Sequence, residues 1–482
     1  MVHKNLKRFL FLAYALLLGG CASTVNYFSL GERHLQKEEY DLAIQAFESA
    51  RSENPDDPKI KRELGIVFYQ KTQFDKAIPL LLETFLADST DGRALFYLGT
   101  AFEIINDFPH AMDIYRRYVD VGRTTDIRKS IEARLTGLIR KQMAEEAKSV
   151  LSRESAIDVA SIPDSTVAVL YFKNMGRKRD LDPIQKGLAD MLITDLSKAR
   201  KLKVVERIRM QQLLDEMGLG KTGLVDASTV PRVGRLLGAS KLVNGTFMDL
   251  TAEALRIDAG FVQIQSDKPI APSNVQGKLD QLFRMEKNLA FGILDRLRIP
   301  LTQAERDEIS IIPTENLLAF MAYCNGLDYE DKGMYREAGQ QYQRAAELDP
   351  HFSSAAQGVT RTENLVLSQI PVSTLEEKYA QTSVSGESAA AASTQAASSR
   401  TQEQQTPNAS TPSESPSPVM AEALNRPAGT AAPLVDQMLH TAGVLDQGFL
   451  PGIDSRKPTQ DENQSSFGNA ASFKIHILLP QE

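Results

Sequence analysis

Tryptophan is absent from this chain of 482 residues, and only two cysteines and six histidines occur in it. The two cysteines, Cys21 and Cys324, are too few for a disulfide framework. The histidines stand alone, without the paired spacing of a metal site, and the central segment has no Gly-x-Ser-x-Gly motif of a hydrolase. The net charge of −7 argues against a nucleic-acid-binding protein, which usually presents a basic face. The sequence therefore predicts no enzyme, no metal, no cofactor and no nucleic-acid partner.

One glycine-rich stretch, Gly218–Gly223, matches the dinucleotide-binding pattern Gly-x-Gly-x-x-Gly and also the end of a phosphate-binding loop. Both motifs function between a strand and a following helix, whereas this stretch follows a helix predicted at Arg207–Met217. The first glycine of a phosphate-binding loop would fall on Asp215. We therefore interpret Gly218 as the residue that ends the helix, and an enzyme that uses this loop is the disfavoured alternative.

Residues 1–20 have the composition of a signal peptide. Three basic residues precede the apolar run Phe9–Leu18, which is too short to span a membrane as a stable helix. Small residues then lead directly to Cys21, which resembles the lipobox of bacterial lipoproteins, whose cysteine is diacylglycerol-modified and becomes the N-terminus. This resemblance predicts lipidation of Cys21, and Ala22 after it favours sorting to the outer membrane. The alternative is an ordinary signal peptide with an incidental cysteine.

Residues 24–150 contain a repeat with a period of 34 residues. Small residues and large apolar or aromatic residues recur in four registers: Gly31, Gly65 and Gly99; Ala43, Ala77 and Ala111; Phe47, Leu81 and Tyr115; Tyr40, Phe74 and Phe108. This is the tetratricopeptide pattern, in which small residues lie where two antiparallel helices touch and aromatic residues fill the gaps between hairpins. The pattern predicts an array of three repeats, followed by a helical segment that caps it.

The first helices of such arrays line a groove that holds peptides. In the second and third repeats six residues fall on groove positions: Lys59, Arg62, Tyr69, Arg93, Tyr97 and Glu103. Two arginines and two tyrosines indicate a site for an acidic or C-terminal peptide. The alternative is a solvated face whose aromatic residues only pack.

The segment 160–300 alternates strands and helices. Thr166–Phe172 is apolar and β-branched, Pro183–Ala199 is an amphipathic helix, and two more helices follow, with strands at Leu202–Glu206 and Lys241–Leu250. The stretches VAVLYFKN, KVVERIRMQQLLDE and DASTVPRVGRLLGASKLVNGTF, in this order, resemble the curli-secretion (CsgG) family, which is related to the TolB amino-terminal and LpoB-type periplasmic domains. The resemblance covers residues 166–299 and implies an α/β sandwich in an envelope protein at the outer membrane, not a catalyst.

Local signals add detail to this segment. Asp226 is predicted to cap the third helix. Leu255–Gln265 alternates like a strand, and Lys278–Leu297 carries the single apolar stripe of a helix. The connections Asp249–Ala254 and Ser266–Val275 are too short and too polar for the long membrane hairpins that subunits of the curli channel contribute. We therefore do not expect this chain to form a pore.

Residues 313–367 return to the tetratricopeptide pattern for one unit. Gly326, Ala338 and Tyr342 have the same spacing as the corresponding residues of the first array. A single unit cannot bury its own apolar face, so it should dock on the α/β domain or on the first array. Cys324, on its first helix, is predicted to be buried and inert.

Residues 370–482 are rich in Ser, Ala, Thr, Gln and Pro. Such a composition lacks the apolar density that would offset the entropy of ordering, so we predict a mostly disordered tail. Two islands differ: Pro433–Leu450 has the spacing of a short docking helix, and Ser472–Leu479 alternates like a strand. The alternative for the second island is a loose apolar tip.

Together these features predict an α+α/β multidomain protein. It would comprise a tetratricopeptide α-solenoid, a CsgG/TolB-N-like α/β sandwich, one further tetratricopeptide unit and a disordered C-terminal tail. We expect an outer-membrane lipoprotein on the periplasmic face, which binds periplasmic or outer-membrane proteins as a non-catalytic adaptor for an envelope or curli-like secretion system. The alternative is a subunit of an oligomeric CsgG-type secretion channel, and a homo-oligomer is compatible with both.

Overall fold

The computed structural model describes residues 26–122, 125–220, 223–251, 253–264 and 270–382. The described chain divides into two compact units. The first contains residues 26–131 and 372–382, and the second contains residues 132–371. The predicted signal peptide, Cys21 and both apolar islands of the tail lie outside the described residues.

Helices make up most of both units. In chain order they are α1 (Tyr27–Gln36), α2 (Tyr40–Glu53), α3 (Pro58–Gln70), α4 (Phe74–Ala87), α5 (Gly92–Ile104), α6 (Phe108–Tyr115), α7 (Asp126–Ser152), α8 (Ile184–Ser197), α9 (Arg207–Glu216), α10 (Val230–Leu236), α11 (Leu282–Arg296), α12 (Gln303–Ser310), α13 (Leu317–Asp331), α14 (Tyr335–Leu348), α15 (Ser353–Ser368) and α16 (Val372–Thr382). The boundary between the units falls within α7.

Three helical hairpins form the predicted tetratricopeptide array in the first unit: α1 with α2, α3 with α4, and α5 with α6. The repeated glycines explain how closely the paired helices approach. A Cβ atom at Gly99 would lie 2.2 Å from the ring of Tyr115, and one at Gly65 would lie 2.9 Å from Leu81. The 34-residue register therefore marks the contact line inside each hairpin.

The turn inside each hairpin uses a left-handed residue at the same repeat position. Glu38, Thr72 and Asn106 have φ angles of 59°, 56° and 63°. In the later single unit the equivalent residue is Gly333, with φ +74°. Glycine adopts this conformation without strain, whereas a β-branched residue such as Thr72 does so at a cost. The sequence pattern gave no sign of this position.

Six strands of the described second unit form one mixed sheet. They are β1 (Thr166–Val169), β2 (Lys173–Asn174), β3 (Lys203–Val204), β4 (Lys241–Asp249), β5 (Ala254–Gln263) and β6 (Ser273–Lys278). Their order is β3-β1-β4-β5-β6, and β2 pairs with β4. β1 is parallel to β3 and β4, whereas β4, β5 and β6 are successive antiparallel neighbours.

The core of this domain lies between the sheet and its helices. Val167 of β1, Leu242 of β4 and Ile257 of β5 are almost completely buried, as are Leu289 and Ile293 of α11. Helices α8, α10 and α11 contact the strands. The α/β prediction is thus confirmed, because β-branched strand residues pack against apolar helix stripes.

Two local predictions for this domain are wrong. The last three residues of the connection predicted at Ser266–Val275 belong to strand β6, which pairs with β5 from Ala254–Lys278 to Ala259–Ser273. Its residues are mostly polar because β6 lies at the sheet edge, where alternate side chains are exposed. Asp226 does not cap α10, which begins four residues later. The Asp226 carbonyl instead accepts the amides of Thr229 and Val230 in a turn.

The single tetratricopeptide unit, α13 with α14, packs on the α/β domain through α8. A Cβ atom at Gly187 would lie 2.2 Å from the sulfur of Cys324, so glycine is required for this approach. Tyr323 donates a hydrogen bond of 2.7 Å to Asp190 of α8. Cys324 is fully buried, as predicted, and burial raises the pKa of its thiol well above the ordinary value.

Candidate functional site

The six predicted groove residues lie on two neighbouring helices of the first unit. Lys59, Arg62 and Tyr69 belong to α3, while Arg93, Tyr97 and Glu103 belong to α5. The structure divides them into a charged end, built around the two arginines, and an aromatic end, where the rings of Tyr69 and Tyr97 meet edge to face with centroids 5.1 Å apart. The two ends differ in what they offer a ligand.

At the charged end both guanidinium groups already bind carboxylates of this chain. Arg93 donates to both oxygens of Glu63 at 2.7 and 3.1 Å. Arg62 donates to Glu63 at 2.8 Å and to Asp91 at 2.6 Å. Burial opposes the charge of Arg62, but the two carboxylates outweigh it and raise its pKa above the ordinary value. A peptide carboxylate would have to compete with these internal partners.

The outer members of the predicted set are also engaged. Glu103 accepts a hydrogen bond of 3.1 Å from the Tyr115 hydroxyl. The backbone amide of Lys59 donates to Asp57, the residue that caps α3. Binding of an acidic peptide by all six residues therefore stays a prediction. The aromatic end is the better candidate for a binding surface.

The aromatic patch consists of Tyr69, Phe96 and Tyr97. Phe96 and Tyr97 are fully buried and lie edge to face, with ring centroids 5.5 Å apart. The Tyr97 hydroxyl is buried, and burial raises its pKa, whereas Gln70 lowers it. Such a patch offers apolar area with a few hydroxyl groups, the usual composition of a binding hot spot.

Helix α16 packs on this aromatic patch. The ring of Tyr379 lies edge to face with Phe96, with centroids 5.1 Å apart, and Tyr69 donates a hydrogen bond to Glu376. Leu375, Glu376 and Tyr379 are buried, with 6, 7 and 3% of their surface exposed. A short helix from the far end of the described chain therefore occupies the groove.

The polar rim of α16 is bound by the start of α7. The hydroxyl of Tyr379 lies 2.6 Å from that of Ser130 and donates to the Asp126 carbonyl at 3.1 Å. Lys378 pairs with the Asp126 carboxylate at 2.8 Å. Burial raises the pKa of Glu376, and the hydrogen bond from Tyr69 offsets part of that rise. The carboxyl group is therefore held where its charge is disfavoured.

The sequence reasoning missed α16, which lies within the segment predicted to be mostly disordered. Its signal was present but short: Leu375 and Tyr379 are four residues apart, directly after Pro371. The Ser- and Ala-rich composition that begins a few residues later hid this spacing. The helix forms where the array supplies an apolar surface for it.

A second buried cluster surrounds the acidic pair Glu330 and Asp331 at the end of α13. Glu330 is fully buried and accepts from Arg361 at 2.8 Å, from Arg140 at 2.9 Å and from the Tyr342 hydroxyl at 2.8 Å. Burial opposes its ionisation, but the arginines outweigh burial and hold the pKa of Glu330 well below the ordinary value. The carboxylate is thus permanently charged near neutral pH.

Asp331 completes this cluster on the α/β side. It pairs with Lys186 of α8 at 2.9 Å and accepts from the Tyr171 hydroxyl at 3.1 Å. Arg207 of α9 also donates to Asp331. Because each of these buried charges faces an opposite charge, the cluster joins the single tetratricopeptide unit to the α/β domain.

Family models match two segments of the chain. The model of the curli production assembly/transport component CsgG matches residues 140–268, and a tetratricopeptide repeat model matches residues 28–88 and 62–124. The chain combines a CsgG domain with tetratricopeptide repeats. The resemblance drawn from the sequence is therefore confirmed.

Three solved structures show weaker likenesses. The LpoB C-terminal domain from Salmonella enterica is 14% identical with a TM-score of 0.21, and the match covers 27% of this chain and 93% of that one. Yeast Tom70 is 15% identical with a TM-score of 0.23, covering 70% and 65%. The P58(IPK) TPR domain is 11% identical with a TM-score of 0.25, covering 86% and 98%. No curated protein matches the chain.

Within the CsgG domain, Gly218 ends α9 as predicted. Its φ is +75°, its amide donates to the Asp215 carbonyl, and Leu219 donates to Leu214. This is the usual glycine end of a helix, not the start of a nucleotide-binding loop. Among the described residues, no group of three or more His, Cys, Asp or Glu side chains is placed to hold a metal ion. No described helix is long and apolar enough to cross a membrane.

Proposed function

We propose that this protein is a lipid-anchored adaptor on the periplasmic face of the outer membrane. Cys21 would carry the anchor, the N-terminal array would hold a partner segment, and the CsgG domain would join an envelope or curli-like secretion assembly. We propose a non-catalytic role, because the matched CsgG and tetratricopeptide families point to protein interaction.

One observation carries this proposal: the aromatic patch of the N-terminal array holds a helix that is remote in sequence. Phe96 packs on Tyr379 of α16, and Tyr69 donates a hydrogen bond to Glu376 of the same helix. The ring of Tyr97 packs on those of Tyr69 and Phe96. A surface that can order an isolated short helix has enough apolar area and polar contacts to bind a segment of another protein. The family of the second domain supports the envelope setting.

The anchor is tested by replacing Cys21 with serine. The native protein should incorporate a palmitate analogue and fractionate with the outer membrane, because acyl chains supply about 0.8 kcal/mol per buried methylene. The Cys21→Ser variant should lose the label and move to the soluble periplasmic fraction. Identical labelling and fractionation of both proteins would contradict the proposed anchor.

The adaptor role is tested on detergent extracts by size exclusion with light scattering. We expect the native protein to elute as a monomer or as a complex with different proteins. The Phe96→Ala variant should no longer bind those proteins. Phe102→Ala is the matched control, because Phe102 is also buried on α5 but stacks on His110, outside the aromatic patch. Retention of the partners by Phe96→Ala would contradict the groove assignment. A ring of many copies would instead support the channel alternative.

A further inference from the structure

The occupied groove points to the chemistry of the partner. We infer that the N-terminal array recognises an amphipathic helix with a Leu-Glu-x-x-Tyr face, and that α16 is the chain's own competitor for this site. This inference rests on the proposed adaptor function and adds to it the class of ligand and the way its access is controlled.

The recognition elements lie on one side of α16. Leu375 and Tyr379 are four residues apart, so their side chains project from the same face of the helix. Glu376 lies beside them and is buried with them. Ser373 and Thr374 are exposed. A partner helix would therefore need the same three side chains, whereas its outward residues could vary.

Two of the three side chains, those of Tyr379 and Glu376, have a defined counterpart in the groove. The tyrosine packs on Phe96 and reaches Ser130 through its hydroxyl. The glutamate accepts from Tyr69.

Two physical facts make α16 displaceable. It has 11 residues, and isolated helices of this length are marginal in water, so its order depends on the groove. It follows α15 after three residues and so competes as a tethered segment, with an effective concentration on the order of millimolar. If a free helix of this sequence binds the groove with a Kd of about 100 µM, this effective concentration exceeds the Kd about tenfold. The apparent affinity of an external ligand is then about tenfold lower than its affinity for the empty groove.

The test uses the full chain and a fluorescently labelled peptide of residues 371–382 with blocked ends. The peptide should bind Tyr379→Ala about tenfold more tightly than the native protein, because the internal competitor is weakened. Ser373→Ala is the matched control, since it changes an exposed residue of the same helix, and should bind like the native protein. Equal affinity for native protein and Tyr379→Ala would overturn the inference.

A second measurement covers the case in which Tyr379→Ala loosens the array. The chain contains no tryptophan, so Tyr379→Trp places a single reporter on Phe96. Its emission should be blue-shifted and protected from iodide, and saturating unlabelled peptide should shift it to the red. A reporter that is solvent-exposed at the outset, or that stays protected at saturating peptide, would contradict displacement.

The groove itself is tested with Phe96→Ala, against Phe102→Ala as before. Peptide binding should be lost in the first and kept in the second. Binding that survives Phe96→Ala would place the peptide elsewhere and overturn the inference. Failure of the peptide to bind any variant would overturn it too, yet leave the adaptor function standing on its own tests of anchoring and complex composition.

Discussion

Glu330 provides the sharpest test of how the second unit is held together. It is fully buried and receives hydrogen bonds from two arginines and a tyrosine, with distances of 2.8–2.9 Å for the shortest from each. Removing one partner of a buried ion pair costs about 3–5 kcal/mol, because the opposing charges remain buried and uncompensated. We therefore expect Glu330→Ala to lower the free energy of unfolding of this unit by about that amount. Glu330→Gln, which keeps the volume and loses the charge, should lower it by about 1.5–3 kcal/mol.

The dependence on pH separates this charge effect from lost packing. The folded-state pKa of Glu330 is depressed below its ordinary value of 4.5, so the stabilisation is fully present above pH 4.5 and is lost as pH falls through the depressed value. The difference between native protein and Glu330→Gln should therefore be largest near pH 7 and shrink below pH 4.5.

Urea unfolding, followed by circular dichroism from pH 3 to pH 7, measures this difference. Asp258→Asn is the control: it breaks an exposed ion pair with Arg256 and should leave the midpoint nearly unchanged. A Glu330→Gln variant as stable as the native protein at pH 7 would refute the stabilising role of the Glu330 charge. A stability difference that is the same at pH 3 and pH 7 would also refute it.

Three further predictions concern stability. Burial and nearby Asp195 raise the pKa of Glu286 to about 8, so the stability of the native protein should fall as the pH rises from about 4.5 to 8. Thermal scans of Glu286→Gln over this pH range should not show the fall. Parallel curves of melting temperature against pH for the variant and the native protein would contradict this prediction. Gly99→Ala should lower the free energy of unfolding by about 1–3 kcal/mol. The loss should exceed that of Gly65→Ala, because the Tyr115 ring can move away from the added methyl group less easily than the Leu81 side chain can. Equal melting temperatures of the two variants would contradict this prediction. Thr72→Asn should raise the melting temperature by relieving left-handed strain, whereas a decrease would show that the turn is unstrained.

The repeat architecture was predictable because its contacts are local in sequence. A helical hairpin brings residues that are 16 positions apart into contact, as Gly99 and Tyr115 show. Each register of the repeat therefore corresponds to one short-range contact between the two helices of a hairpin. The α/β pattern of the second domain was predictable for a related reason, since its strands and helices carry strong apolar periodicity, whereas its family came from the resemblance of three stretches to CsgG. The edge strand β6 was not, because its polar residues resemble a loop until β5 pairs with it.

The candidate site was predictable only in part. The sequence located Tyr69 and Tyr97 on the groove, but it did not show that Glu63 and Asp91 already bind the arginines beside them. Those partners depend on the packing of α3 against α5, which the position of a residue in a repeat does not specify. An acidic ligand was predicted because the sequence shows the two arginines but not the carboxylates that bind them.

The sequence by itself determined the modules: repeats, an α/β domain and a further repeat, each encoded by periodic apolar residues. Only the tertiary structure decided what occupies the groove and what fastens the last repeat. Glu376 meets Tyr69 across 307 positions, and Arg140 meets Glu330 across 190. Such contacts leave no periodic signal, because each joins single side chains brought together by the packing of whole helices.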